Sequence, residues 1–350
     1  MNLKNLSDVL GLSQTTVSRA LNGYPEVSEL TRRRVIEAAQ RYGYRPNPHA
    51  TRLATGRAMA IGHVIPMSSQ NSVMNPIFAD FAAGANETYA RHGYEMTLSI
   101  VRDEEVENKY RSMAETGSVD GIIASSPMIS DPRIEVLNRI GLPFLVHGRS
   151  SATGYEYNWL DINNFRAFRV ATEFLIHSGH RRIALLNGPE QLDFAFRRRR
   201  GYLDALRRNG VGHDPGLVRS SEMTEPFGHE SVIELMRLEE PPTAFLTASI
   251  LTAIGARRAL HDLNILLGTE VSLVTHDDSL DYFGNSGTEP VFTSVRSSIR
   301  AAGRRSAQIL LDIILGQREP PVTELWEAEL VIGKSTGPGP HAGWSAGTGQ

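Results

Sequence analysis

Apolar positions change their period once along the chain. Up to residue 44 they recur at helical spacing in three short runs: Leu3, Leu6, Val9 and Leu10; Val17, Ala20 and Leu21; Leu30, Val35, Ala38 and Ala39. Gly11, Asn22-Gly23 and Gly43 follow the three runs as helix terminators, and Ser13 and Ser28 stand where N-caps belong. The spacing predicts three short helices, the first two joined by a tight turn as in a helix-turn-helix. Pro46 and Pro48 then interrupt the chain, and "NPHATRLATG" has too few apolar residues for a packed element, so it reads as a linker. From Met59 the apolar runs become short and continuous ("MAIGHVIP", "GIIAS", "PFLVHG", "RIALLNG", "AFLTAS", "VSLVTH"), with amphipathic stretches between them at 78–93, 165–179 and 298–316. Strands that are apolar throughout, alternating with helices, predict parallel sheets covered on both faces. The eight or nine such units exceed one small sheet, so two doubly wound lobes with a cleft between them are expected. The last fifteen residues, 336–350, are rich in Gly, Pro and Ser and predict a disordered tail.

Composition narrows the class. The 350 residues are 41% hydrophobic, enough for sizeable cores, and contain no cysteine, which excludes disulfides and thiolate metal sites. The N-terminus lacks the apolar core of a signal peptide, and no run approaches the ~20 apolar residues of a membrane span. The expectation is a cytoplasmic chain with no membrane contact. The net charge of −3 hides an asymmetry, because residues 1–57 carry nine basic and four acidic residues and the remainder is acidic overall. A basic segment on an acidic body points to an anionic partner for that segment alone.

The second helix narrows the choice of anion. "LSQTTVSRALNG" (12–23) exposes hydroxyls, an amide and one arginine where a core helix would be apolar and a solvated one would carry Glu–Lys pairs. Hydroxyls and amides reach phosphate oxygens, while Gln and Arg read base edges in the major groove. DNA is one surface that rewards that set, and plain helix capping is the other use of Ser13 and Ser18.

This motif, with "VSELTRRRVIEAAQRYGYRPN" and "ATRLATG" after it, resembles the DNA-binding headpiece and hinge of the lactose-repressor (LacI/GalR) family. "NPIF", "SGHRRIALLNGP", "FRRRRGYLDAL", "AIGARRAL" and "VSLVTHDD" resemble that family's effector domain in order and spacing, so the likeness covers roughly residues 2–333. It implies a small all-α helix-turn-helix headpiece (1–46), a hinge helix or linker (47–57) and a two-lobed α/β core like the periplasmic binding proteins (58–335). The lobes would divide at about 58–155 with 285–316 and 156–284 with 317–335. Gln14, Thr15 and Arg19 match the base-reading positions, and Ser13, Thr16, Ser18, Asn22 and Ser28 match phosphate-contacting or capping ones. Ala50 and Leu53 match the hinge segment in which paired leucines wedge the minor groove and kink the DNA. The partners implied are a palindromic operator, a second copy of the chain and a small sugar effector, with no cofactor, no metal and no enzymatic activity.

Open α/β sheets bind ligands at the carboxyl ends of their strands. The residues closing the apolar runs are Pro66, His147-Gly148-Arg149, Asp161, Gly188-Pro189, Ser249 and Asp277. The resemblance makes Asp277 the acceptor of sugar hydroxyls, Arg198 a buried pocket arginine and Phe78 an apolar platform. Four consecutive arginines, 197–200, sweep roughly 300° around a helix, so at least one points inward. "TASILTA" departs from the family's "ANDxxA" and places Ser249 where an Asn or Asp is usual, and "HGR" replaces "IDR". Fewer carboxylates and more hydroxyl and arginine donors predict a neutral sugar, and "HGR" is most similar to regulators of α-glucoside operons. Ligand is expected to close the lobes. Rival readings are a purine effector stacked on Phe78, Trp159 or Phe194, a co-repressed or activating variant, a periplasmic sugar-binding protein, and an enzyme. No phosphate-binding glycine motif follows the first strand, and His177 and His180 have no carboxylate at ligand spacing.

Overall fold

The computed structural model describes residues 1–21, 24–44, 56–67, 75–280, 282–285 and 288–341. The headpiece is three helices, α1 (Leu3–Leu10), α2 (Gln14–Leu21) and α3 (Glu29–Arg41). Each start is held by a side chain: Asn2, Ser13 and Ser28 accept from the amides of Asn5, Thr16 and Thr31. Leu6, Leu10, Val17, Ala20, Val35 and Ala39 interlock as a separate core. Leu30 was expected inside but is 82% exposed. It sits five residues before Val35, off the buried face. Two arginines of α3 hold the headpiece together, Arg34 donating to the Leu10 carbonyl and Arg32 to that of Tyr24. Asn22, Ala50, Leu53 and most of the expected hinge lie outside the described residues.

The rest builds two six-stranded sheets, ordered β11-β5-β4-β3-β1-β2 and β12-β10-β9-β8-β6-β7. The N-lobe strands are β1 (Ala60–Pro66), β2 (Glu95–Val101), β3 (Gly121–Ser125), β4 (Phe144–His147), β5 (Asn158–Ile162) and β11 (Thr323–Trp326). Those of the C-lobe are β6 (Ile183–Asn187), β7 (Val218–Ser220), β8 (Ala244–Thr247), β9 (Ser272–Asp277), β10 (Thr293–Arg296) and β12 (Glu329–Val331). All pairings are parallel except β10 with β12. The intervening helices are α4 (Pro76–Arg91), α5 (Val106–Glu115), α6 (Pro132–Ile140), α7 (Asn164–His177), α8 (Asp193–Arg208), α9 (Glu225–Leu235), α10 (Ile250–Asp262) and α11 (Ile299–Ile314).

The lobe boundaries differ from those expected. Residues 158–162 and 323–326 pair within the N-lobe sheet, and 293–296 pair within the C-lobe sheet. The chain crosses between lobes only after β5, β10 and β11, because each strand first completes a ladder with its parallel neighbour. That pairing is a tertiary fact, invisible in the apolar pattern. The tail also departs from expectation as far as residue 341. Thr336 Oγ1 hydrogen-bonds Thr293 Oγ1, Gly337 N donates to Ser272 Oγ, and the amides of Gly339 and His341 reach the carbonyls of Ser178 and Gly179. Backbone hydrogen bonds to the C-lobe hold a segment whose composition alone argues for disorder.

Candidate functional site

On the headpiece, Ser13 bridges the amide and hydroxyl of Thr16 at 3.0 and 2.8 Å, so part of the hydroxyl cluster caps α2. Gln14, Thr15 and Arg19 are exposed, Thr16 and Ser18 half-buried, and Val17 and Ala20 point into the core. Ser28 is exposed and caps α3. The helix thus presents an amide, a hydroxyl and a guanidinium to solvent from a rigid, packed element.

Between the lobes lies a cavity of about 130 Å³. The N-lobe lines it with Ile77, Pro127, His147, Gly148, Arg149 and Asp161; the C-lobe with Asn164, Phe194, Arg198, Met223, His276 and Asp278. Arg198 is placed by helix packing. Gly201 lets α8 approach α7 so closely that a Cβ there would sit 2.1 Å from the Phe165 carbonyl oxygen. One turn earlier on α8, the buried Arg198 guanidinium then reaches Asn164 Oδ1 at 2.7 Å and the Ala248 carbonyl at 2.6 Å, flanked by the rings of Phe168 and Phe194. Arg149 lies over Trp159 and donates to Asp161 at 2.9 Å. Gly148, at φ 100°, lets its chain pass beneath Pro127, where a Cβ would come within 2.7 Å of the ring.

Three expected ligand contacts lie elsewhere. Asp277 is buried away from the cavity, accepting from the Ser279 amide (2.8 Å), Asn285 Nδ2 (2.9 Å) and Arg296 Nε (3.2 Å). Successive strand residues point to opposite faces, so at the end of β9 it is His276 and Asp278 that face the cleft. Ser249 is the N-cap of α10, its hydroxyl accepting from the Leu251 amide. Phe78 does not line the cavity, and Ile77 supplies the apolar wall from α4. Asn164, His276 and Asp278 escaped the sequence reading, although "DD" was a signal that two candidates stood side by side. Two carboxylates, Asp161 and Asp278, face the cavity beside the arginine donors.

Burial dominates the electrostatics. It brings the His147 pKa down to about 4 despite Asp278, and lowers that of His276, so both imidazoles are neutral at pH 7. Burial pushes Asp161 up to about 6 against the pull of Arg149, leaving it mostly ionised at pH 7. Burial opposes ionisation of Asp278 too, but His276, Arg198 and His147 outweigh it and hold its carboxyl below the ordinary range. Arg198 falls to about 10 through burial and stays cationic. Two guanidiniums therefore face two carboxylates, and the lining is close to neutral.

Residues 3–47 match the family described as bacterial regulatory proteins, lacI family, and residues 172–336 match a periplasmic binding protein-like domain. The HTH-type transcriptional regulator AglR of Rhizobium meliloti (strain 1021) is 45% identical over 341 residues, 97% of this chain and 95% of that protein. A transcriptional regulator CelR–cellobiose complex superposes with a TM-score of 0.70 at 28% identity, covering 96% of this chain and 99% of that one. The Lac repressor dimer bound to operator and the anti-inducer ONPF gives 0.76 at 25% identity, covering 96% and 99%.

Proposed function

The chain belongs to the lacI family of bacterial regulatory proteins, and from that premise we propose how this DNA-binding transcriptional regulator is switched. It is a dimeric repressor that reads a palindromic operator with Gln14, Thr15 and Arg19, and releases it when an uncharged di- or oligosaccharide occupies the cleft. One recognition helix spans few base pairs, and a two-fold pair doubles the reading surface. Arg is suited to a bidentate contact with guanine and Gln to adenine, with Ser13, Thr16, Ser18 and Ser28 near phosphates.

The charge-balanced cavity carries the reading of the ligand. A charged effector would leave one guanidinium or carboxylate uncompensated in a buried site, whereas sugar hydroxyls pair with Asp278, Arg198, Asn164 and the Arg149–Asp161 pair without changing net charge. Phe194 offers the flat apolar face on which a pyranose ring stacks. The CelR complex holds cellobiose in the same fold, which supports a saccharide over a purine. α-Glucosides head the panel to be tried. A hundredfold loss of operator affinity needs about 2.7 kcal/mol of coupling, within the usual 1–3 range.

The test is an electrophoretic mobility shift on operators selected from random DNA, with and without a disaccharide panel. Palindromic selected sites and release by one neutral disaccharide are expected. Release by a purine instead would overturn the ligand reading, and tighter binding with sugar would make the chain co-repressed.

A further inference from the structure

The lobes are joined by more than their three chain crossings. Ile129 N donates to the Gln191 carbonyl at 3.1 Å and Asp193 N to that of Pro127 at 2.9 Å, and Met128 faces Leu192 as an isolated antiparallel bridge. Beside them Asp193 Oδ2 accepts from the Ser151 amide at 2.6 Å, Asp193 Oδ1 pairs with Arg197, and Arg197 donates to Ser151 Oγ at 2.9 Å. Residues 127–129 and 151 belong to the N-lobe and 191–197 to the C-lobe. The cavity runs between this contact and the crossings, since Pro127 and Phe194 line it together with Ile162 and Ser297. The Asp193 side chain is 1% exposed, and a carboxylate is tolerated there only because the other lobe and Arg197 satisfy it.

With this contact made, the cavity measures about 130 Å³. A disaccharide has roughly two dozen non-hydrogen atoms and calls for a pocket of ~300–1,000 Å³. We propose that the 127–129/151 to 191–193/197 contact is a latch that must open for a disaccharide to load, and that Asp193 sets the cost of opening. Loading then parts the lobes along this edge, the reverse of the closure expected from sequence. The inference rests on the cleft being the sugar site. It makes Asp193 a determinant of sugar affinity although it lies outside the cavity. A state that is rarely open lowers the apparent affinity by the fraction open, so weakening the latch tightens binding.

Isothermal titration with maltose and with cellobiose tests this on the full chain in two variants. Asp193→Asn should bind the disaccharide about tenfold more tightly than wild type. The chain has no cysteine of its own, so Met128→Cys/Leu192→Cys forms one defined cross-link across the bridge. Oxidised, it should lose disaccharide binding at least a hundredfold; reduced, it should bind like wild type and so report on its own folding. An oxidised variant that binds normally, or unchanged affinity in Asp193→Asn, overturns the latch. If neither sugar binds wild type, the saccharide reading fails for these probes, and the latch is judged by hydrogen exchange. The amides of Ile129, Ser151 and Asp193 should then be protected in wild type, and that of Ser151 should lose protection in Asp193→Asn. Unprotected amides in wild type would overturn it regardless of ligand.

Discussion

Asp277 and Asp278 are consecutive, both buried and both carboxylates, yet they should respond in opposite ways to the same change. Asp278→Asn keeps the side-chain shape and removes a charge that faces the cavity among His276, Arg198 and His147. Hydrogen bonds to a charged group contribute about 1.5–3 kcal/mol, which is roughly a 10- to 150-fold loss of sugar affinity. The variant also leaves Arg149 and Arg198 facing Asp161 alone, a net positive lining that disfavours a neutral ligand further. Operator affinity without sugar should be unchanged, giving a repressor that no longer releases. Asp277→Asn instead weakens the bonds to Ser279, Asn285 and Arg296 that tie β9 to β10 and the loop after it. About 1–3 kcal/mol of stability should be lost, with little change in sugar affinity at temperatures where the fold persists. Calorimetry for the sugar, fluorescence anisotropy for the operator and urea denaturation separate the two. If Asp277→Asn abolished sugar binding at full stability while Asp278→Asn bound normally, the assignment of the cleft face would be wrong.

Arg19→Ala should cost about 1–3 kcal/mol of operator affinity and relax preference at one base position; equal weakening on all sequences in a competition assay would make Arg19 a phosphate contact. Gly201→Ala should destabilise the C-lobe by about 1–3 kcal/mol and weaken sugar binding, because its Cβ forces α8 off α7 and carries Arg198 with it; an unchanged urea midpoint would refute that. Burial brings His63, bonded to Tyr89, and His147 from 6.5 down to about 4. The unfolded chain therefore takes up more protons between about pH 6.5 and 4, and stability falls as pH falls through that window. Asp161, raised to about 6, acts with the opposite sign. Urea midpoints from pH 7 to pH 4 should fall less steeply in His63→Gln than in wild type and more steeply in Asp161→Asn, and parallel slopes in all three would contradict both assignments.

Local chemistry alone determines much of this protein. The caps Ser13 and Ser28, the αL glycine at 11 and the spacing of Leu6, Leu10, Val17 and Val35 define the headpiece helices, because capping and helical period act within a turn or two. The same period leaves Gln14, Thr15 and Arg19 outside. The continuous apolar runs likewise announce parallel strands. What sequence could not decide depends on contacts between distant segments. Which of two adjacent carboxylates faces the cleft is set by the pairing of β9 with β8 and β10, since a period of two puts neighbours on opposite faces whatever their chemistry. Ser249 is taken by the start of α10, and Phe78 gives way to Ile77 through the rotation of α4. The strands at 158–162, 293–296 and 323–326 join the lobe whose ladder they complete, and the tail to residue 341 is ordered by a C-lobe hydroxyl and C-lobe carbonyls more than 60 residues away in sequence. The latch at Asp193 joins residues of two lobes that no local pattern relates, and only the packed structure puts them in reach of one another.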